Sequence, residues 1–476
     1  MKKILLIFCL LFFAVKGFSQ QFSQYNTNTL FDSFENPSQK SFTTDSSKKF
    51  AFNFFIPNFD ANVLLTGNAQ ATMISRLYGG HFNNAALQIG SGANMNYINA
   101  NVSAYALMFK IFTSFNGDQE VGFFAETKAE GRGNFTDESI ALFNGHTDFA
   151  NDVYDNVLNS NYNYQVYDAF GFTYREKIDK HLAIGFKISA LLGVNYNKLD
   201  VQESHLSFDN ANDAETLSLK GNYRVSQGPG HVSTRDLLPT FRSPGASITF
   251  GTSYKTDDGI IIQANIKDLG FIHWYNNSGT YAFNTTATTQ GVSGPKVQDS
   301  TFNLIQKVIK GSNGKLGSFT SPTDSRAELS VTKTYYLDLD KTFKYLPTLI
   351  GSKELLYNGA AAALVNRFQY GKYNVSLTAS YDNLNLFNFG TQFMIQTPNA
   401  EFFIGSDRLI NSGKAVLAGG NYGSYSNGSY TGADLFLGFS VKFGPVIEHP
   451  MNSSVIPMGE KGFFGRLYNR LFKTNE

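Results

Sequence analysis

Glu126, Lys128 and Glu130 stand at alternate positions, and Arg132 extends the series. On a β-strand such residues share one face. Charges on one face can line a polar conduit, or they can pair with one another and fill a closed interior. Mixed signs in register favour the second, because they neutralise each other rather than select an ion. The other sharp local element is Asp268-Leu269-Gly270 with Trp274 beyond it. Read functionally, it is a lumen or rim feature that binds a ligand or partner. Read structurally, Gly270 permits a bulge or close approach, Asp268 caps a turn, and Trp274 joins an aromatic girdle at a membrane interface. The structural reading is the expected one.

Signatures of enzyme chemistry are missing. The histidines are His81, His146, His181, His205, His231, His273 and His449, and none forms an H-E-x-x-H or a close pair with metal spacing. There is no G-x-S-x-G and no Walker loop. The expectation is a non-enzyme with no catalytic residue, metal or cofactor.

The elements that must position these residues are strands. Leu435, Leu437, Phe439, Val441 and Phe443 alternate with Phe436, Gly438, Ser440 and Lys442. A longer series runs Leu182, Ile184, Phe186, Ile188, Ala190, Leu192, Val194 and Tyr196. Val121, Phe123 and Ala125, then Phe170, Phe172 and Tyr174, then Ala246, Ile248 and Phe250 repeat the period of two, as do Val375, Leu377, Ala379 and Tyr381. Runs of about 9–15 residues suit a tilted membrane strand. Tight-turn signals at Asn116-Gly117-Asp118, Asp179-Lys180, Asp257-Asp258-Gly259 and Thr397-Pro398-Asn399 join neighbouring runs. Long polar connections separate the hairpins. That asymmetry belongs to outer-membrane barrels, and the spacing predicts about 14 antiparallel strands. The run 214–226 would upset the even count and is read as part of an external hairpin.

Composition agrees. Of 476 residues only 16% are charged while 15% are aromatic, with 45 Phe, 25 Tyr and one Trp. A soluble chain carries roughly 25% charge. After residue 20 no apolar run is long enough for a spanning helix. The net charge of +1 excludes a polycationic nucleic-acid binder. The N-terminus reads as a signal peptide over 1–19: Lys2-Lys3, an apolar stretch from Ile4 to Val15, then Gly17 and Ser19 before the cut. A periplasmic N-terminal segment over 20–46, a barrel over 47–445 and a periplasmic tail over 446–476 complete the expected organisation. In the tail, Phe463, Leu467 and Leu471, and Phe464, Tyr468 and Phe472, recur at four, with Arg466 and Arg470 on another face. This is a short basic amphipathic helix for a membrane surface or a partner.

Two further segments, 136–160 and 301–312, show helical spacing. Ile140, Leu142 and Phe143 precede Val153, Val157 and Leu158 in the first; Phe302, Leu304, Ile305, Val308 and Ile309 form the second. Such pieces either gate a hydrophobic ligand or merely cap a barrel.

The opening Gln20-Gln21-Phe22-Ser23-Gln24-Tyr25 through Glu35-Asn36-Pro37-Ser38 resembles the type IX secretion system membrane protein family, with Ser38 where that family has Ala. Lys267-Asp268-Leu269-Gly270-Phe271-Ile272-His273-Trp274 resembles an Asp-Leu-Gly…Trp element of a large uncharacterised family of bacterial outer-membrane barrels. Leu346-Pro347-Thr348 and Phe402-Phe403-Ile404-Gly405-Ser406-Asp407 fit the same family. Both groups are similar in style to the long-chain fatty-acid transporter barrels. These resemblances imply an integral outer-membrane barrel. The leading functional expectation is a partner-binding component of envelope assembly or protein secretion, in contact with outer-membrane lipid and with no nucleic acid. The alternative is a passive or ligand-specific transporter for a hydrophobic or small polar solute. A plugged interior favours the first and an open or greasy tunnel the second.

Overall fold

The computed structural model describes residues 22–41, 48–113, 118–226, 241–294, 296–311, 314–420, 430–445 and Gly462. Fourteen antiparallel strands close into a barrel. They are β1 (Lys48–Phe52, resumed as Asn58–Thr66), β2 (Met95–Phe112), β3 (Gln119–Thr136), β4 (Asn161–Lys177), β5 (Leu182–Asp209), β6 (Pro244–Lys255) and β7 (Ile260–Trp274). The circuit continues through β8 (Phe319–Pro322 and Arg326–Lys333), β9 (Phe343–Glu354), β10 (Ala360–Tyr370), β11 (Tyr373–Asp382), β12 (Phe387–Gln396), β13 (Ala400–Ser406) and β14 (Tyr430–Pro445). Each strand pairs with its neighbour in sequence, and β14 closes on both parts of β1, as in Phe50↔Phe443 and Phe59↔Leu437. Closure leaves no sheet edge in the membrane.

Period two does the sorting. Along β14, Leu435, Leu437, Phe439, Val441 and Phe443 point out, while Asp434, Phe436, Ser440 and Lys442 are buried within. Around the barrel, Phe123, Phe170, Ile248, Leu349, Leu364 and Phe393 stay exposed as an apolar belt for lipid. Tyr254, Tyr335, Tyr336, Tyr370 and Tyr373 cluster at the short-turn end as its girdle. Short turns mark the periplasmic end, by the usual asymmetry of such barrels.

The lumen is not a wet channel. Residues 22–41, expected as a periplasmic segment, run through it instead. Thr29 caps the helix α1 (Leu30–Glu35) by accepting from the Asp32 amide. Leu30, Phe31 and Phe34 pack against Tyr105, Phe124, Phe403 and Phe436 of the wall. The polar residues of the segment find wall partners. The Phe22 amide donates to Asp407 (2.5 Å), the Leu30 amide to Glu401 (2.6 Å) and the Ser41 hydroxyl to Glu120 (2.6 Å). Arg367 donates to the Asn26 carbonyl (2.7 Å) and Arg175 to the Ser38 carbonyl (2.9 Å). A short, mostly polar segment whose large apolar side chains are Phe22, Leu30, Phe31 and Phe34 cannot form a core alone, and the lumen supplies both kinds of partner.

At the other end β5 overshoots the barrel. Its lower part, Leu182–Leu192, pairs with β6, and its upper part, Asn197–Asp209, pairs with an external strand, Ala214–Val225. That strand pairs in turn with Gly279–Gln290. The run 214–226 is therefore an external arm and not a crossing. Helix α2 (Gln70–Gly79), α3 (Asp137–Ala141), α4 (Val297–Lys310) and α5 (Leu409–Gly420) all lie at this end. The helix expected over 461–473, with Phe463, Phe464, Arg466, Leu467, Tyr468, Arg470, Leu471 and Phe472, lies outside the described residues.

Candidate functional site

Glu126, Lys128 and Glu130 do face the lumen, and there they are fully engaged. Lys128 lies 2.5 Å from Asp268 and 3.3 Å from Glu126; Lys187 of β5 lies 3.3 Å from Glu126. Glu130 accepts from Tyr167 (2.7 Å) and Gln165 (2.8 Å). Arg132 spans Asp324 (2.8 Å) and Glu354 (3.0 Å). Lys267 bridges Glu35 of α1 (2.7 Å) and Glu328 (3.5 Å). These charges tie the N-terminal plug to the wall and the wall to itself. A polar cavity of about 100 Å³ lies beside Asp32, Glu35, Lys128 and Asp268.

Asp268 reaches the lumen by a bulge, not as a turn cap. The β6–β7 register slips between Ile266 and Leu269, and Asp268 takes φ 49°. Lys267 follows Gln263 and Asn265 inward by ordinary alternation, and the bulge turns Asp268 inward beside it, while Leu269 stays on the lipid face. The bulge re-aims a carboxylate that strict alternation would send into the membrane. Thr249 accepts from the Asp268 amide at 2.9 Å and fixes the bend. Gly270 then lies flat against Ala246 and Ser247, where a side chain has no room.

Trp274 is not a girdle residue. It is wholly buried in the lumen, packed on Tyr196 and Phe319, and its indole donates to Ser321 at 2.8 Å. Gly193 makes space for it, since a Cβ there would sit 2.6 Å from the ring. Trp274 shares its inward face with Gly270 and Ile272, whereas Phe271 and His273 point out. A buried indole needs a hydrogen-bond acceptor, which the filled lumen offers and lipid does not.

The most ligand-like space lies elsewhere. A cavity of about 440 Å³ sits under the external arm. Leu217, Leu219, Tyr223 and Tyr281 of the arm form one side, and Phe302, Ile305, Gln306 and Ile309 of α4 another. Leu142, Phe143 and Leu158 of the 137–160 segment close it. The floor is the barrel wall itself, with Phe135, Tyr162, Tyr164, Asn195, Asn197 and Leu199. Tyr162 donates to Asn197 (3.1 Å), and the Ser139 and Ser160 hydroxyls pair at 2.7 Å. Among the described residues, no Lys, Arg, Asp or Glu lines it.

Strand parity fixes the side of the wall on which this chamber lies. Along β4, Asn163, Gln165 and Tyr167 point inward to Tyr357, Ser321 and Glu130. Tyr162 and Tyr164 alternate with them, so they share the outward face with Phe170 and Phe172. The chamber is therefore on the outer flank of the rim, separated from the lumen by the strands. The helical spacing over 301–312 corresponds to α4, whereas 136–160 holds only the short helix Asp137–Ala141, two 3-10 turns and a strand, Val153–Asp155, paired with β5; neither spacing located the cavity.

Among the described residues no three His, Cys, Asp or Glu side chains are grouped to hold a metal ion. Fold and filling define an outer-membrane β-barrel whose lumen is occupied by its own N-terminal segment. The chain belongs to the family of unknown function DUF5723, whose model matches residues 24–407. This agrees with the uncharacterised-family resemblance and gives no support to the type IX one. No curated protein matches. Similar solved structures include the P. putida toluene transporter TodX, at 8% identity over 90% of this chain and 99% of that one, with a TM-score of 0.43. A Pseudomonas aeruginosa FadL homologue is similar at 10% identity over 90% and 99%, with a TM-score of 0.41. The translocator domain of autotransporter NalP from Neisseria meningitidis gives 8% over 83% and 89%, with a TM-score of 0.31.

Proposed function

We propose that this protein is a non-enzymatic outer-membrane barrel that binds a hydrophobic small molecule at its extracellular end, as the ligand-specific step of uptake. The flank chamber carries the reading. Its volume of about 440 Å³ falls within the roughly 300–1,000 Å³ of small-molecule sites. Its lining is aliphatic and aromatic, with a few hydroxyls and amides placed to orient a ligand. An apolar cavity of this size, built by three separate segments over the outer rim, has no evident use in merely capping the barrel, for which close packing would serve better.

The test is a titration of the protein in nanodiscs with the apolar fluorophore N-phenyl-1-naphthylamine. Saturable binding that Leu219→Glu and Ile305→Glu each abolish, with the barrel still folded, is the expected result. Binding unaffected by both substitutions contradicts the reading.

One observation favours a second reading, a partner-binding role in envelope assembly or protein secretion. The N-terminal segment fills the lumen, and a filled lumen suits a scaffold. Co-purification of envelope proteins that survives both substitutions, with no probe binding, would favour it.

A further inference from the structure

The chamber also selects the charge of its ligand, and this inference rests on the binding role just proposed. Among the described residues, twenty-one side chains line it and none is ionisable near neutrality. Its polar groups are the Tyr162–Asn197 and Tyr164–Asn195 pairs at the floor, the Ser139–Ser160 pair beside them, and Gln306 of α4. The arm contributes Leu217 and Leu219 to the lining, and α4 contributes Ile305 and Ile309. On the same sheet face as Leu217, one step further out, the ionisable group is an acid: Glu215, wholly buried and with neither oxygen hydrogen-bonded among the described residues. Cations do line the opposite face of this sheet, where Lys198, Lys220 and Arg224 point away from the chamber.

We propose that the chamber takes an uncharged amphiphile, a long-chain alcohol or ester, and rejects the corresponding carboxylate. An ionised head placed among these residues would be desolvated with no cation to meet it, which is strongly unfavourable. A hydroxyl or ester carbonyl needs only the hydrogen bonds that the Tyr–Asn and Ser–Ser pairs can share. The chain then lies toward the arm and α4. Because the floor is the lipid-side face of β4 and β5, the bound molecule never meets the salt-bridged lumen.

Equilibrium binding of tritiated hexadecanol and tritiated palmitate to the nanodisc-embedded protein tests this, at about pH 9, where a carboxyl group is ionised. The expected result is hexadecanol binding at least about tenfold tighter, a difference of ~1.4 kcal/mol. Asn197→Lys places a cation at the polar end and should narrow or reverse that preference. Equal binding of the two ligands overturns the inference and leaves the binding role intact. An unchanged preference in Asn197→Lys also overturns it, since selection would then have another cause. Binding of neither ligand contradicts the binding role itself.

Discussion

Lys267 of the wall and Glu35 of the plug helix meet at 2.7 Å in the barrel lumen. The pair joins residues far apart in sequence, and Lys267 points inward with Gln263 and Asn265 of the same strand, one residue before the bulge at Asp268. It is one of several polar links that make the N-terminal segment part of the barrel interior. Removing the cation alone leaves Glu35 and Glu328 without it, and breaking a buried pair from one side costs about 3–5 kcal/mol. Lys267→Met should therefore destabilise the folded barrel by that order. The double change Lys267→Met with Glu35→Gln should recover part of the loss. Denaturant unfolding of the single and double variants measures both.

Gly185 of β5 and Gly251 of β6 are paired across the ladder, and together they seat the Asn36-Pro37-Ser38 turn of the plug. A Cβ on Gly185 would lie against the Pro37 carbonyl and 2.8 Å from the Ser38 amide; one on Gly251 would lie against the Asn36 amide oxygen. Backbone cannot yield there as a flexible side chain can. Gly185→Val should displace the plug while the strands still pair. Single-channel conductance in planar bilayers should rise well above that of the unsubstituted protein. Unchanged conductance in a folded variant would mean that the plug does not depend on this seat.

The barrel was legible from sequence because period two survives from strand to strand, and lipid on one side enforces it. The arm was legible because strand parity forbids an odd crossing. The plug was not, since residues 22–41 carry no periodic pattern and their partners, such as Asp407, Glu401 and Glu120, are remote in sequence. Trp274 was misplaced for a related reason. Its kind suits an interface, and only its shared face with Gly270 and Ile272 marks it as interior. Of the chamber's walls, α4 was visible as apolar helical spacing, while 136–160 is mostly turns and a short strand, and a cavity between three segments leaves no local signal.

The filled lumen changes what substitution there does. Phe439 faces lipid, and Phe439→Arg near the midplane should cost roughly 2–4 kcal/mol. Ser440 points inward, is wholly buried and donates to Glu401 at 2.7 Å. In a wet lumen Ser440→Arg would be mild. In this packed one it should be at least as damaging as Phe439→Arg, with both read by heat-modifiable gel migration and unfolding midpoints.

Glu215 gives the arm a pH dependence. Burial raises its carboxyl from an ordinary value of 4.5 to about 7. The protonated form is thus the one the folded arm prefers. Its contribution to stability is complete below about pH 4.5 and is lost as pH rises to about 7. Limited proteolysis of the arm should accelerate between those values, and Glu215→Gln should flatten the profile. A profile unaltered by Glu215→Gln would assign the dependence to another group.

In the binding role proposed above, ligand binds in the flank chamber and not in the lumen. Photo-crosslinking with a diazirine-bearing hexadecanol, followed by peptide mapping, tests it most directly. Label is expected on residues 195–225 of the β5–arm hairpin and 302–309 of α4, and is lost on Leu219→Glu. Label concentrated on the plug, residues 22–41, or on inward positions such as Tyr167 and Trp274, would contradict it.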